Sequence, residues 1–413
     1  MTQVHDDAHD PRRGGARRLR VLFVTRQYPP HGVGGIGTYV ELLARLLTAR
    51  GHEVTVLSAA PAHSGSTEVT DGVRIVRTPV VGPEWLWRRL FQKSWVVASR
   101  LQAALSARSG LRRLGEHFDV IEAPEWKAEG LLLQRCRRGP VVIHLHLPYE
   151  LVRRWDRRPL RRWRGEQMAE WLERRTALAS AAITATSQLS RLGPEGQRWL
   201  PDRAVAIVPP PLVVEEWSAC APIEATGPVV LFIGHLERRK APEVLLDALS
   251  LVADEVDGLR VVFIGRPFAG PGGVPYDEYL RARAGRLGVS FEHLAPQSGA
   301  AAMLAQYGQA RVVAVPSRYE TLSMVALEGL ACGRPVLMTA AVGATEWVAD
   351  AIPELVVPVD DVRAMADALR PLLLDVTEAK RLGERGRDAL TKACSPDSIV
   401  NERIAVYEAV GTR

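Results

Sequence analysis

The stretch Pro316-Ser-Arg-Tyr-Glu320-Thr-Leu-Ser-Met-Val-Ala-Leu-Glu328-Gly-Leu-Ala-Cys-Gly333-Arg-Pro-Val336, entered from the apolar run Arg311 to Val315, decides how this chain is read. The apolar run has the length and composition of a buried strand. After a short polar turn, the spacing from about Ser323 to Ala331 predicts a helix. Glu320 and Glu328 lie eight positions apart; on a helix that is about two turns and roughly 12 Å, with both carboxylates near one face. The span suits a ligand with hydroxyls at each end and a diphosphate between them, because free N–H groups at a helix N-terminus attract phosphate. A nucleotide-sugar has that shape. Two glutamates alone fit equally well a surface turn and an exposed salt bridge, so the rest of the chain has to decide.

Outward from that stretch, strand and helix alternate twice. In the first half, strands are predicted at Leu19–Thr25, Glu53–Ser58, Phe118–Glu122, Pro140–Leu145, Ala181–Thr186 and Ala204–Val208, with a helix over Gly37–Arg50. Pro209-Pro-Pro211 breaks the pattern, and 217–228 reads as a linker. Strands at Val229–Gly234, Leu259–Gly265, Val289–Leu294, Arg311–Val315 and Pro335–Thr339 then alternate with helices Pro242–Val252, Asp277–Leu287 and Gly299–Tyr307. Two such series predict an α/β protein of two doubly wound, Rossmann-like domains, 19–216 and 229–395, facing a central cleft. Such sheets hold ligands at the carboxyl ends of their strands. Residues 1–18 read as a disordered tail, and 396–413 as a helix that could return to the first domain.

A chain of 413 residues is too long for one core, and 47% apolar with 24% charged residues is ordinary for a globular protein. No apolar run has the length of a bilayer-spanning helix, and the N-terminus lacks the apolar core of a signal peptide. Cys136, Cys220, Cys332 and Cys394 are far apart, with no Cys-x-x-Cys, which speaks against a disulfide framework or zinc site and suits a reducing cytoplasm. The net charge is +6, but only five of the 53 basic residues are lysine. That arginine bias points to GC-rich coding, and no nucleic-acid-binding signature accompanies it, so nucleic acid is not an expected partner.

Gly32-Val-Gly34-Gly-Ile-Gly37 matches the dinucleotide pattern G-x-G-x-x-G, yet the dehydrogenase reading fails. Residues Arg26 to His31 separate the first glycine from the strand, and Glu53–Ser58 ends without the acid that would hold a ribose. What survives is a glycine loop at Gly34 and Gly35 running into a helix, either an anion or sugar site or a plain turn. In Phe232-Ile-Gly234-His-Leu-Glu-Arg-Arg-Lys240, the lysine sits just before a helix, where a cation can neutralise a diphosphate leaving group.

Taken in order, these motifs resemble the family 4 glycosyltransferases, retaining enzymes of the two-domain GT-B fold. Tyr28-Pro-Pro-x-x-x-Gly-Gly35, Gly234-x-Leu-x-x-x-Lys240, and Glu320-x7-Glu328 followed by Ala-Cys-Gly-x-Pro-Val together span nearly the whole chain. The resemblance implies that Glu320 holds the donor sugar's hydroxyls and Glu328 the ribose. Backbone at Thr321, Leu322, Ser323 and Met324 would cradle sugar and phosphate, and Lys240 would bind the diphosphate. The family's cleft-facing histidine falls on His146, with His144 as the competing choice. Two departures stand out. His235 occupies a position that is usually arginine, so Arg238 or Arg239 is a candidate substitute. Thr321-Leu-Ser323 replaces the usual Gly-Phe-Gly, which bulks up the sugar pocket and leaves donor identity open.

The reaction so implied is transfer of a sugar from a nucleoside diphosphate to an acceptor hydroxyl with retention, by front-face attack in which the leaving phosphate takes the acceptor's proton. No Asp-x-Asp occurs, so no metal is expected, and no cofactor beyond the donor itself. On the acceptor side, Glu122, Glu125 and Trp126 follow a predicted strand and would suit a polyhydroxylated or aminocyclitol acceptor; pairing with Arg135, Arg137 or Arg138 is the alternative. Leu151 to Arg175 holds nine arginines against four acids, with Trp155, Trp163 and Trp171 at eight-residue steps. Such a helix can lie on an anionic membrane; inward-packed tryptophans and solvated arginines are the favoured reading. Three rivals remain: a nucleotide-sugar 2-epimerase of the same fold, a transferase acting on a lipid or phosphorylated acceptor at a membrane surface, and a non-catalytic sensor, against which the pairing of Glu320 with His146 argues.

Overall fold

Short apolar runs such as Val-Leu-Phe-Val and Val-Val-Ile-His-Leu are buried on both faces, which is what the interior strands of a parallel sheet require. The computed structural model describes residues 17–31, 34–60, 65–92, 94–153, 163–192, 199–200, 203–297 and 299–411. The first domain runs β1 (Arg20–Val24), α1 (Gly35–Ala49), β2 (Glu53–Ala59), β3 (Ser66–Thr70), β4 (Val73–Thr78), α2 (Glu84–Leu90), α3 (Trp95–Leu114), β5 (Val120–Pro124), β6 (Val141–Leu145), α4 (Tyr149–Arg153), α5 (Trp163–Leu178), β7 (Ala182–Ala185) and β8 (Ala206–Ile207). Its sheet has the order β3-β4-β2-β1-β5-β6-β7-β8, parallel except for the β3–β4 hairpin.

The second domain runs β9 (Val229–Ile233), α6 (Pro242–Ser250), β10 (Arg260–Ile264), α7 (Tyr276–Leu287), β11 (Phe291–Leu294), α8 (Ala300–Gln309), β12 (Val312–Val315), α9 (Met324–Ala331), β13 (Val336–Thr339), α10 (Thr345–Val348), β14 (Val356–Val357), α11 (Val362–Leu374), α12 (Val376–Ala393) and α13 (Pro396–Gly411). Its six strands are all parallel, in the order β11-β10-β9-β12-β13-β14. Where β9 and β10 end, the two backbones nearly touch: a Cβ at Gly265, whose φ is +155°, would lie 1.8 Å from the Gly234 carbonyl oxygen. Only glycine fits there, and this crowding sets the exit of the loop that carries Lys240.

Residues 66–114 carried no clear sequence signal. β3 is exposed at every position and so lacks an apolar alternation. The core face of α3 is built mostly from small residues (Ala98, Ala103, Ala104, Ala107, Gly110) with Arg100 and Gln102 among them, so its periodicity is faint. The segment 217–228 is packed against the second domain, with Ile223 4% exposed and Trp217 against the same core. α13 crosses to the first domain, where Val400, Tyr407 and Val410 enter the core around β1, β2 and α1. The tail expected over 1–18 lies, up to residue 16, outside the described residues.

Candidate active site

The carboxyl ends of both sheets meet. His146 follows β6, Thr321 follows β12, and the Thr321 hydroxyl donates to the His146 carbonyl oxygen. The Ser187 hydroxyl donates to the Thr321 carbonyl, and Tyr319 Oη donates to Leu189 O at 2.6 Å. From the other side, the Glu346 carboxylate accepts the N–H groups of Gln188 (2.8 Å) and Leu189 (3.2 Å). The two domains therefore meet beside the Glu320–Glu328 stretch.

Glu320 is held by its backbone before its side chain is considered. Its N–H donates to Ala341 O at 2.9 Å, and its carbonyl accepts from Gly343 N–H at 2.9 Å. Its carboxylate forms an ion pair with Lys240 and accepts a hydrogen bond from Ser317 Oγ at 3.0 Å. The two charged side chains are only 12% and 14% exposed. Burial opposes ionisation of Glu320, but Lys240, Arg239 and the Ser317 bond together outweigh it and hold the carboxyl below its ordinary range. Burial lowers the Lys240 ammonium, with Glu320 working against that.

Eight residues on, Glu328 Oε2 accepts from Tyr307 Oη at 2.8 Å. Burial pushes this carboxyl up to about 7, against the Tyr307 bond that lowers it. Between the two glutamates, Ser323 is the N-cap of α9, with its Oγ accepting from Ala326 N–H at 3.3 Å. The N–H groups of Met324 and Val325 find no acceptor among the described residues. They form the open helix N-terminus that an anion can occupy. Ser323 takes φ +84°, a left-handed conformation that glycine adopts without strain.

The bulk expected in the sugar pocket from Thr321-Leu-Ser323 is spent elsewhere. Thr321 bonds across to the first domain, Leu322 enters the second-domain core, and Ser323 caps a helix. Arg239, expected among the diphosphate ligands, is 7% exposed and committed: it donates to Tyr319 O at 2.9 Å and to Glu237 Oε1 at 2.5 Å. Its fork holds the loop rather than facing the cleft. His235 is exposed, edge-on to Phe268. Gly34 is the N-cap of α1 and Gly35 its first residue, with open space where a Gly35 Cβ would be.

The two histidines separate clearly. His144 is 1% exposed, its Nδ1 is within 2.8 Å of Thr184 Oγ1 and 3.1 Å of Arg403 Nη2, and its ring stacks on Tyr39. His146 is partly exposed and lies edge-on to both His144 and Tyr39. Burial and the Arg403 charge lower its imidazole to about 3, so it is a neutral ring at any working pH.

The acceptor reading of Glu122 and Glu125 is corrected by geometry. β5 starts at Val120, two residues later than predicted, so Glu122 lies mid-strand, 2% exposed. It accepts from Tyr407 Oη at 2.7 Å and Tyr39 Oη at 3.3 Å, and pairs with Arg403 at 3.6 Å. Glu125 is fully buried and accepts the N–H groups of His146 and Leu147. It therefore positions His146 instead of facing an acceptor. Neither pairs with Arg135, Arg137 or Arg138; Trp126 is partly buried. Trp155 and the Trp163 side chain fall outside the described residues, and Trp171, expected to pack inward, is 54% exposed. The sequence reading missed Tyr307, Ser317 and Arg403. Of these, Arg403 had a signal: with Val400, Tyr407 and Val410 it forms a helical stripe in which a lone arginine sits among core residues.

A carboxylate and a cation buried together beside an open helix N-terminus, at the meeting edges of two parallel sheets, define an enzyme that handles nucleotide-sugars on a GT-B scaffold. Residues 33–211 match the Glycosyltransferase Family 4 model and 213–389 the model for Glycosyl transferases group 1. A D-inositol 3-phosphate glycosyltransferase of Frankia alni is 31% identical over 383 residues, 86% of this chain and 90% of the relative. A glycogen synthase of Mycobacterium tuberculosis is 26% identical over 414 residues, 95% of each chain. In fold, sucrose-phosphate synthase from Thermosynechococcus elongatus superposes with a TM-score of 0.72 at 19% identity, covering 95% of this chain and 99% of that one. The chain belongs to the family 4 glycosyltransferases and is a nucleotide-sugar-dependent hexosyltransferase.

Glu328 carries a stability cost that can be measured. Its folded carboxyl titrates at about 7 against an ordinary 4.5, so the folded state binds this proton more tightly than the unfolded chain. The associated stability is fully present below about pH 4.5 and is lost as pH rises through 7. Glu328→Gln should therefore gain on the parent between pH 5 and pH 8, by on the order of 2 kcal/mol in urea unfolding without nucleotide. A difference that does not change with pH would refute the buried carboxyl.

Proposed function

We propose that the chain is a retaining transferase that moves a hexosyl group from a nucleoside diphosphate sugar to a hydroxyl of a polyhydroxylated acceptor. The observation that carries this reading is the buried Lys240–Glu320 ion pair beside the open N-terminus of α9. When the donor enters, Lys240 and the Met324 and Val325 N–H groups turn to the diphosphate, and Glu320 accepts from the sugar hydroxyls. The bond from the anomeric carbon to the phosphate oxygen breaks with its electron pair going to the diphosphate. The acceptor oxygen bonds to the same face of that carbon, and its proton passes to the departing phosphate oxygen. Glu328 accepts from the ribose. Neutral His146 offers a hydrogen bond near the sugar without adding charge to a centre where positive charge develops.

The names of the relatives, one forming glycogen and one acting on an inositol phosphate, support a polyhydroxylated acceptor. The ammonium-bearing alternative rested on Glu122 and Glu125, whose carboxylates are satisfied inside the first domain, and no observation favours the 2-epimerase. A screen of donor hydrolysis across UDP-, GDP- and dTDP-sugars in excess EDTA, then of acceptors with the best donor, tests the reading. Retained configuration in the product is expected. Inversion, or activity that returns only with Mg²⁺ or Mn²⁺, would overturn it.

The histidines give a second check. His146→Ala should lower kcat by about 30- to 100-fold with little change in Tm, the scale of one lost transition-state hydrogen bond. His144→Ala should act mainly on stability, because it opens the packed Tyr39–Arg403 network. The reverse ranking in kcat would move the site to His144.

A further inference from the structure

A buried cation is expensive unless an acid faces it squarely, and apolar side chains in place of such a pair are often neutral or stabilising. Arg403 on α13 is 0% exposed, yet its acid is a poor match. Glu122 lies 3.6 Å from it and takes a closer hydrogen bond, 2.7 Å, from Tyr407. The guanidinium spends its own hydrogens elsewhere. Nη1 donates to Thr184 Oγ1 at 2.6 Å and Nη2 to His144 Nδ1 at 3.1 Å, while the cation stands over the Tyr39 ring, 5.6 Å from its centroid. An arginine placed for stability would close on the carboxylate. This one closes on a histidine ring and on the tyrosine ring stacked against it, with 4.5 Å between their centroids.

Those contacts fix the proton on His144. A guanidinium has no acceptor, and the Thr184 hydroxyl, having accepted from Arg403, has its own proton free for Nδ1 at 2.8 Å. Both neighbours of Nδ1 are donors, so Nδ1 holds a lone pair and the ring proton sits on Nε2. Nε2 is buried and has no hydrogen-bond partner among the described residues. The ring is thus kept in a tautomer that leaves its own N–H unsatisfied, which costs free energy rather than gaining it. Burial and the Arg403 charge both keep this imidazole from taking a second proton.

What the fixed rings touch is His146. Its backbone is held twice, the N–H by Glu125 and the carbonyl by Thr321, but neither nitrogen of its ring has a hydrogen-bond partner among the described residues. Packing sets the angle of this imidazole: it stands edge-on to His144 at 4.5 Å and to Tyr39 at 5.1 Å between centroids. We propose that Arg403 is a positioning residue for the transfer: by fixing the His144 tautomer and the Tyr39 ring, it holds the His146 imidazole at one angle with both nitrogens left for the sugar. The proposal rests on the transfer argued above, in which His146 offers a hydrogen bond near the donor sugar.

The reference protein for the test is Glu122→Gln, so that removing the arginine leaves no carboxylate buried without its cation. On it, Arg403→Met and His146→Ala are placed singly and together, and hydrolysis of the fastest of UDP-glucose, GDP-mannose and dTDP-glucose is followed. Arg403→Met should lower kcat by about 5- to 10-fold with donor KM held within about 2-fold, as expected of a group that is present but misaimed. Once His146 is alanine, Arg403→Met should cost nothing further. An arginine that only supports the fold would lower the rate by the same factor in both backgrounds, and that additivity overturns the proposal, as does a normal rate in Arg403→Met. A full rate in His146→Ala refutes the histidine's part in the proposed function, and the proposal falls with it. A second measurement needs no variant to fold. Nitrogen NMR of the histidine-labelled parent should show His144 neutral, with its proton on Nε2, from about pH 5 to pH 8. A proton on Nδ1, or titration in that window, overturns the proposal whatever the kinetics give.

Discussion

Glu320→Gln should lower kcat by about 10³-fold, the scale of losing one preorganised transition-state contact in a water-poor site. Nucleoside diphosphate affinity should hold or rise. In the parent, Lys240 is paired with Glu320 before any ligand arrives, and that pairing competes with the diphosphate. With a neutral amide at 320, Lys240 loses the partner that offsets its burial, and the arriving diphosphate supplies the opposing charge with no carboxylate to displace. The parallel measurement is calorimetric binding of the nucleoside diphosphate to both proteins. A large loss of nucleotide affinity in Glu320→Gln would place Glu320 at the nucleotide end and refute its role at the sugar. A normal rate in a folded variant would remove it from the chemistry altogether.

Lys240→Met should be worse in both parameters, with diphosphate affinity down and kcat reduced by about 10³-fold, since it removes the cation buried against Glu320 that would take the leaving charge. Arg239 is tied to Tyr319 and Glu237, and His235 is an uncharged ring beside Phe268. The substitution also has a pH signature. Burial is the largest influence on Glu320 and raises its carboxyl; Lys240 is the first of the influences that bring it down. Without that cation burial dominates, the carboxyl rises, and the ionised form that accepts sugar hydroxyls appears only at higher pH. The parent should be flat in this group from about pH 5.5 to pH 8, because its Glu320 lies below 4.5, whereas the residual activity of Lys240→Met should climb through that window. Residual activity that is independent of pH would mean that Lys240 does not hold Glu320 ionised.

The strand–helix alternation and the two-domain architecture could be read from the chain alone, and so could Glu320, Lys240 and Glu328 as candidates for the site. Each is written in local terms: a period of two or 3.6 residues, a glycine or proline at a turn, and a fixed interval along one loop and helix. The segment 66–114 escaped because α3 packs with alanines and buried polar groups, which leave no periodic contrast. The fates of individual polar side chains were decided by the tertiary structure. Glu122 faces inward because β5 begins at Val120 and because Arg403, 281 positions along the chain, arrives on α13 to neutralise it. His146 faces the cleft while His144 is locked away, because Thr184 on the neighbouring strand and that same arginine occupy His144 Nδ1. A burial pattern is a property of neighbours in sequence, but the satisfaction of a buried charge depends on whichever partner the fold brings within about 3 Å of it, and no local spacing encodes that partner.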